Sequence, residues 1–287
     1  MRVGIDSYSY HRRYGEIRSG EEVPSDPAWA LMPGPVIEHA RSLGVDELFL
    51  ETCYLPRPES IDGDLLGLPQ PFDLRFSWGH PWPADRYHGL DGGRTPATEV
   101  DLGRWIDAAA RLRHPLMRIT VGSPASRGDE PAELLIQRLV EPVRRVSDRA
   151  AEVGLSLAIE NHGDLTASEL RDLILRVERP NLGVTLDNVN LIRLGDEVLA
   201  GTETLAPFTL MVQLKDHLPG DPYVWGGPVC TALGEGVADL NDILAILDHA
   251  GFDGPVCVEL ASLGGGDVDE LAMIERSVAW LRAHVPS

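Results

Sequence analysis

Short apolar runs alternate along the chain with longer stretches of helical periodicity. Period-two or continuous apolar runs predict strands at Val3–Asp6, Glu47–Glu51, Asp73–Trp78, Met117–Val121, Ser156–Glu160, Gly183–Asp187, Leu210–Lys215 and Pro255–Glu259. Between them, apolar residues three and four apart predict helices at Pro35–Ser42, Ala97–Arg113, Pro131–Val153, Thr166–Val177, Leu191–Ala200, Asp239–Ala250 and Asp267–Ala283. The link from Cys53 to Phe72 reads as loop with a short helix around Ser60–Leu68. Local punctuation agrees: Thr166 or Ser168 can cap a helix carrying Glu169, and Gly154 follows the long fourth helix as a C′ residue should.

Strands and helices in strict alternation mean parallel β/α architecture, and eight such units favour a closed (β/α)8 TIM barrel. An open dinucleotide-binding sheet would want a Gly-rich turn after its first strand. Here that turn is Asp6-Ser7-Tyr8-Ser9-Tyr10. No composition shift or low-complexity linker divides the sequence, so residues 1–287 are read as a single barrel domain. Two long loops rich in Pro, Gly and aromatics, Gly79–Pro96 after strand three and Leu218–Gly236 after strand seven, fall on the face where barrels keep their substrates.

Charge narrows the function. The 25 Lys and Arg against 45 Asp and Glu leave a formal net charge of −20. So acidic a surface repels phosphate backbones and argues against nucleic acid. No apolar run reaches the ~18 residues that a membrane helix needs. The sequence enters strand-like residues at once, which leaves no room for a signal peptide, and three cysteines without CxxC spacing argue against a disulfide framework or thiolate zinc. The expectation is a cytoplasmic protein acting on a small molecule.

The chemistry sits at strand ends. Strands five to eight close on Glu160-Asn161-His162, Asp187-Asn188, Gln213-Leu214-Lys215-Asp216 and Glu259-Leu260. An ionised carboxylate emerging from an apolar run is costly unless it is paired, hydrogen-bonded or bound to metal. Four strand ends bring Glu160, Asp187, Gln213 and Glu259 to one mouth; the three carboxylates, with only an amide as the fourth member, would repel strongly, and a divalent cation is the simplest remedy. Hard oxygen donors select Mn²⁺ first, with Mg²⁺ or Co²⁺ also suited. The bland alternative is four polar strand ends that cap helices or pair with Lys215.

These strand ends resemble the xylose-isomerase-like sugar isomerase/epimerase family, as do Leu233-Gly234-Glu235-Gly236-Val237-Ala238-Asp239 and Gly251-Phe252-Asp253-Gly254. The resemblance runs over essentially the whole chain and is strongest from Leu155 to Leu260. It implies a (β/α)8 barrel with one divalent metal on a Glu, Asp, His, Glu set. Glu160, Asp187 and Glu259 match three ligands; Gln213 stands where the family usually has His, an arrangement similar to dehydroshikimate dehydratases. Many ketose epimerases carry Asp-x-x-His where this chain has Asp187-Asn188-Val189-Asn190. That stretch and Asp6–Arg12 resemble a subgroup near the C-glycoside deglycosidases, which eliminate an aglycone from a 3-oxo sugar.

A metal chelating two oxygens of a hydroxy-ketone acidifies the adjacent C–H by stabilising the enediolate charge. Glu160 and Glu259, from opposite sides of the mouth, would flank the sugar as base and acid. Isomerisation, epimerisation and expulsion of a β-substituent by a lyase share that first step. His162 alternates onto the side of Glu160 and is a candidate general base, or else orients Glu160. Lys215, Asn190, Glu51, His80 and Trp225 are candidate sugar contacts; Glu51 can equally pair with an Arg, and Lys215 can be a structural ion pair. Trp78, Trp82, Tyr223 and Trp29 are further candidates for the mouth, whereas Trp105 and Trp280 lie inside helices and pack on the barrel. Asp216 is expected to fix its loop. No Arg or Lys cluster on the top loops points to a phosphate.

Two other classes compete. A DNA-repairing endonuclease IV-like barrel needs extra His ligands and a basic groove, which −20 opposes. A non-catalytic sugar-binding barrel would follow if Gln213 marks lost catalysis. The partner expected in every case is a small sugar or polyol; a homo-oligomer is compatible with the reading.

Overall fold

The structure of the chain is a computed structural model that describes residues 1–18, 21, 33–67, 69–82, 89–220, 228–264 and 268–285. Eight parallel strands close a barrel: β1 (Arg2–Asp6), β2 (Glu47–Glu51), β3 (Asp73–Trp78), β4 (Leu116–Ile119), β5 (Ser156–Glu160), β6 (Leu182–Asp187), β7 (Thr209–Leu214) and β8 (Pro255–Val258). Consecutive strands are neighbours, and β8 closes on β1 with Val3 opposite Val256 and Ile5 opposite Val258. Every strand lies within two residues of its predicted position. Among the described residues no helix is long and apolar enough to cross a membrane.

The outer helices turn one apolar stripe inward. In Ala132–Glu152, Leu135, Ile136, Leu139, Val143, Val146 and Ala150 are buried at helical spacing. Thr166 caps Ala167–Val177 through a capping box with Glu169, and Gly154 takes a left-handed φ of 73° behind Ala132–Glu152, both as the sequence implies. The predicted helix Leu191–Ala200 is instead two: Asn188–Ile192 stops before Gly195 (φ 82°), and Glu197 restarts Val198–Leu205 by accepting from the Leu199 and Ala200 N–H groups. A left-handed glycine followed by a capping acid breaks a run that periodicity alone joins. Around Ser60–Leu68 only a 3-10 turn at Pro58–Ser60 forms among the described residues. The turn read at Asp6–Tyr10 opens a 3-10 segment, Ser7–Tyr14, that is kinked at Tyr10 and buried except at Arg13.

Period-two alternation layers the barrel interior. At the floor Glu47 meets Arg75 (3.4 Å) and Arg2. Above it Phe49, Met211 and Cys257 form a small apolar plug. Gly4 belongs to this layer, since a Cβ there would stand 2.5 Å from Cys257 Sγ. The next inward positions, two residues on, are the polar strand ends of the mouth.

Candidate active site

Glu160, Asp187, Gln213 and Glu259 do converge at the C-terminal mouth, and all four are buried. A hydrogen-bonded arc joins the three acids. Asn190 Nδ2 donates to Glu160 Oε1 (2.8 Å) and to Asp187 Oδ2 (2.6 Å). Lys215 Nζ then links Asp187 Oδ2 (2.5 Å) to Glu259 Oε1 (2.7 Å). Asp187 Oδ1 also accepts from the Val189 and Asn190 N–H groups, so it caps the short helix that carries Asn190.

Amide pairs hold the strand ends in register beyond the sheet. Asn161 donates to the Asp187 carbonyl and accepts from its N–H (both 2.8 Å); Asn188 does the same with Lys215 (both 2.9 Å). These asparagines, each following an acid in sequence, are structural clamps that continue the ladder through side chains.

Two important residues escaped the sequence reading. Arg118 on β4 is buried and forks between Glu51 Oε1 (3.0 Å) and Glu160 Oε2. Its signal was available, because an arginine inside Leu-Met-Arg-Ile needs carboxylates to remain charged. Asp6 is fully buried and accepts from the Tyr8 N–H (2.9 Å), Ser77 Oγ (3.0 Å) and Gln213 Nε2 (3.2 Å). Glu51 therefore takes the predicted alternative of an arginine pair.

The cluster is short of positive charge. Among the described residues, Asp6, Glu51, Glu160, Asp187 and Glu259 face only Arg118 and Lys215 in this innermost layer. Burial raises the pKa of Glu160 and of Glu259, against the pull of Arg118 and Lys215 respectively. Burial likewise lifts Glu51 well above the carboxylate range and Asp6 to about 6, with Glu259 adding to the latter. Lys215 is driven the other way: burial disfavours its charge, but Asp187, Glu259 and Glu160 outweigh that and raise its pKa.

His162 is half-buried at the mouth. Its Nδ1 lies 3.1 Å from the Gly122 carbonyl oxygen. A carbonyl only accepts, so Nδ1 carries the hydrogen and Nε2 is the ring's acceptor nitrogen. Burial first, then Arg193 and Arg118, push its pKa well below the usual value, which keeps the ring neutral.

The remaining predicted contacts divide. His80 Nε2 sits on Glu16 (2.8 and 2.9 Å), within a wall where Tyr54 and Tyr8 also donate to Glu16. Burial opposes that charge, yet His80, Tyr54 and Arg18 hold the Glu16 pKa down at about 2. Trp82 stands edge-on to Tyr54, which stacks on Tyr14 (4.4 Å between centroids). Trp78 does not reach the mouth: its Nε1 donates to Asp101 on the neighbouring helix Pro96–Arg111. Trp105 packs on Phe76, as expected, and Trp280 on His284. Trp225, Tyr223 and Trp29 lie outside the described residues. Asp216 fixes its loop as expected, accepting from the Gly234, Gly236 and Ala238 N–H groups (2.9 to 3.0 Å). Gly236 must be glycine there, since a Cβ would come within 2.2 Å of Asp216 Oδ1. Contrary to the reading of the top loops, Arg18 and Arg193 also line the mouth. A larger, open groove between Val198–Leu205 and Leu240–His249 lies on the outer helices, away from these groups.

The donor chemistry suits a divalent ion. Three carboxylates and an amide are hard oxygen ligands, and the buried Gln213 Oε1 and Glu259 Oε2 have no hydrogen-bond partner among the described residues. As they stand the donors are held apart: among the described residues no three Asp, Glu, His or Cys side chains are arranged to hold an ion, because Lys215 and Asn190 bridge the acids.

A family model described as xylose isomerase-like TIM barrel matches residues 79–284. The uncharacterized protein YihM of Escherichia coli is 26% identical over 195 residues, which is 59% of this chain and 60% of YihM, so the match spans less than two thirds of that relative. Among solved structures, the IolI protein with a bound zinc atom superposes with a TM-score of 0.75 at 14% identity, covering 100% of both chains. D-allulose 3-epimerase from Methylomonas sp. in complex with D-allulose gives 0.71 at 16% identity, covering 99% of this chain and 97% of the epimerase.

Proposed function

The chain belongs to the xylose isomerase-like TIM-barrel family, and from that premise we propose that it is a sugar isomerase or epimerase that moves a proton at the carbon next to a carbonyl. The observation that carries this reading is the pair of buried carboxyls, Glu160 and Glu259, at the two ends of one hydrogen-bonded arc. Their raised pKa values bring each nearer to neutrality, where a carboxyl both takes and returns protons efficiently.

Glu160 removes the proton from one face of the sugar and Glu259 returns it from the other. Return to the opposite face of the same carbon inverts it; return to the neighbouring carbon interconverts aldose and ketose. Lys215 and Arg118 offset the negative charge that develops on the carbonyl oxygen. Glu160, Asp187, Glu259 and the Gln213 carbonyl oxygen would hold a divalent ion, Mn²⁺ before Mg²⁺ or Co²⁺, which polarises that carbonyl when bound. Tyr8, which lines the mouth, offers the aromatic wall for the sugar's C–H face, with Tyr54 packed behind it.

One observation favours a second outcome. His162 is a neutral base beyond the two carboxyls, and a lyase expelling a β-substituent from a 3-oxo sugar uses such a third proton carrier. Both outcomes are tested together. Ketoses and 3-oxo sugars are incubated with the protein in D₂O, with and without Mn²⁺, and C–H signals followed by NMR. Exchange of the proton next to the carbonyl is expected for at least one sugar. No exchange with any sugar, in the wild type and Glu160→Gln alike, leaves a non-catalytic sugar-binding barrel. Product analysis separates epimerase, isomerase and lyase.

A further inference from the structure

Lys215 is the only lysine in the sequence; the other 24 cationic residues counted with it are all arginine. It stands at the centre of the acidic mouth, 2.5 Å from Asp187 and 2.7 Å from Glu259. An arginine there would be a rigid, forked donor, as Arg118 is between Glu51 and Glu160. An ammonium on a four-carbon stem is a compact point charge that can leave by side-chain rotation alone. The backbone under it is fixed, because Asn188 clamps both its N–H and its carbonyl. Beside it, Gln213 Oε1 and Glu259 Oε2 are buried acceptors with no partner of their own among the described residues.

We propose that Lys215 is an exchangeable cation: its ammonium and a divalent ion compete for Asp187 and Glu259, and an arriving ion turns the ammonium toward the sugar. The proposal rests on the reading that this mouth holds a divalent ion. Both cations would draw on the same two carboxylates, Asp187 and Glu259, and a single and a double positive charge repel at such range. The two acids therefore keep a counter-cation whichever is present, which limits repulsion among the five carboxyls of the mouth. Freed from its two acids, the ammonium has the sugar's oxygens as its acceptors, so metal loading and sugar recognition become one event. A carboxylate-only site would lack this link.

A single lysine makes the test direct. The whole chain is prepared with 13Cε-labelled lysine, so that one lysine signal reports on Lys215, and diamagnetic Mg²⁺ or Zn²⁺ is titrated in. In parallel, Mn²⁺ affinity is measured by calorimetry for the wild type and for Lys215→Met, which keeps length and removes charge. The expected result is a saturable shift of the lysine signal, with Lys215→Met binding Mn²⁺ about tenfold or more tightly. A wild type that binds no ion while Lys215→Met does is the same competition at its limit. The proposal is overturned if metal binds and the lysine signal stays in place, if Lys215→Met binds no tighter, or if neither protein binds metal. Should Lys215→Met fail to fold, the wild-type lysine signal decides alone. Neither readout uses a sugar, so a failed D₂O exchange assay leaves this result separately legible.

Discussion

The two ends of the barrel both bury charge, and they do it differently. At the floor one buried carboxyl, Glu47, lies between two arginines, Arg2 and Arg75, which also pair with the exposed Asp73. At the mouth five carboxyls share Arg118 and Lys215. The apolar plug of Phe49, Met211 and Cys257 separates the two, so each end must settle its own balance. A barrel selected for stability alone would resemble its floor. The surplus of acid at the mouth is what the proposed proton transfer would draw on.

The largest expected contrast is catalytic. Glu160→Gln and Glu259→Gln each remove a proton carrier and should lower solvent exchange of the sugar proton by about 10²- to 10⁴-fold, with an unchanged circular dichroism spectrum. Glu47→Gln at the floor should leave the exchange rate within about twofold, since no proton transfer involves it. Equal losses at both ends would erase the distinction.

Removing an arginine from each end sharpens the comparison in stability. Arg118→Met leaves Glu51 and Glu160 buried without their cation and should destabilise by about 3–5 kcal/mol in urea unfolding. Arg75→Met leaves Glu47 with Arg2, so a smaller loss, about 1–2 kcal/mol, is expected. A floor loss as large as the mouth's would show that the balance counted above is not what stabilises either end.

Much of this comparison was open to the sequence, because barrel strands announce themselves twice. Apolar runs located all eight, and the polar residue closing each of the last four located the mouth. Their convergence as consecutive strand ends named Glu160, Asp187, Gln213 and Glu259 as one set, and period-two alternation added His162 and Lys215 to their side. What it missed has a common cause. Arg118 and Asp6 come from the first four strands, where single charges carry no repeated pattern, and their partners are about 40 to 200 residues away in sequence. The roles of Asn161 and Asn188 were hidden as well, because an amide that clamps backbone looks in sequence like one that meets substrate. Trp78 shows the reverse error: period two turns it outward, onto Asp101, although its neighbours suggested a loop aromatic.

Asp216 tests whether the mouth's loops depend on charge as its strand ends do. Asp216→Ala leaves the Gly234, Gly236 and Ala238 N–H groups without their shared acceptor. A loss of about 3 kcal/mol is expected, with faster hydrogen exchange at those three amides. Unchanged protection there would mean that the loop is held by its backbone alone.

The smallest effect separates the ends by pH. Burial lifts the Glu47 pKa from the ordinary 4.5 to about 7, despite Arg75 and Arg2. The folded chain thus holds this proton more tightly than the unfolded chain, and its contribution to stability is full below pH ~4.5 and lost as pH rises toward 7. Between pH 5.5 and 8 that loss is about 2 kcal/mol at most. Glu47→Gln has no proton to lose, so its stability should fall by that much less over the same interval, whatever its absolute value. Asp6, raised to about 6 at the mouth, slopes in the same direction and persists in the variant. The difference between wild type and Glu47→Gln therefore isolates the floor. Parallel slopes in the two proteins would mean that Glu47 stays ionised between its arginines, and the floor would then be the more fully balanced end of the barrel.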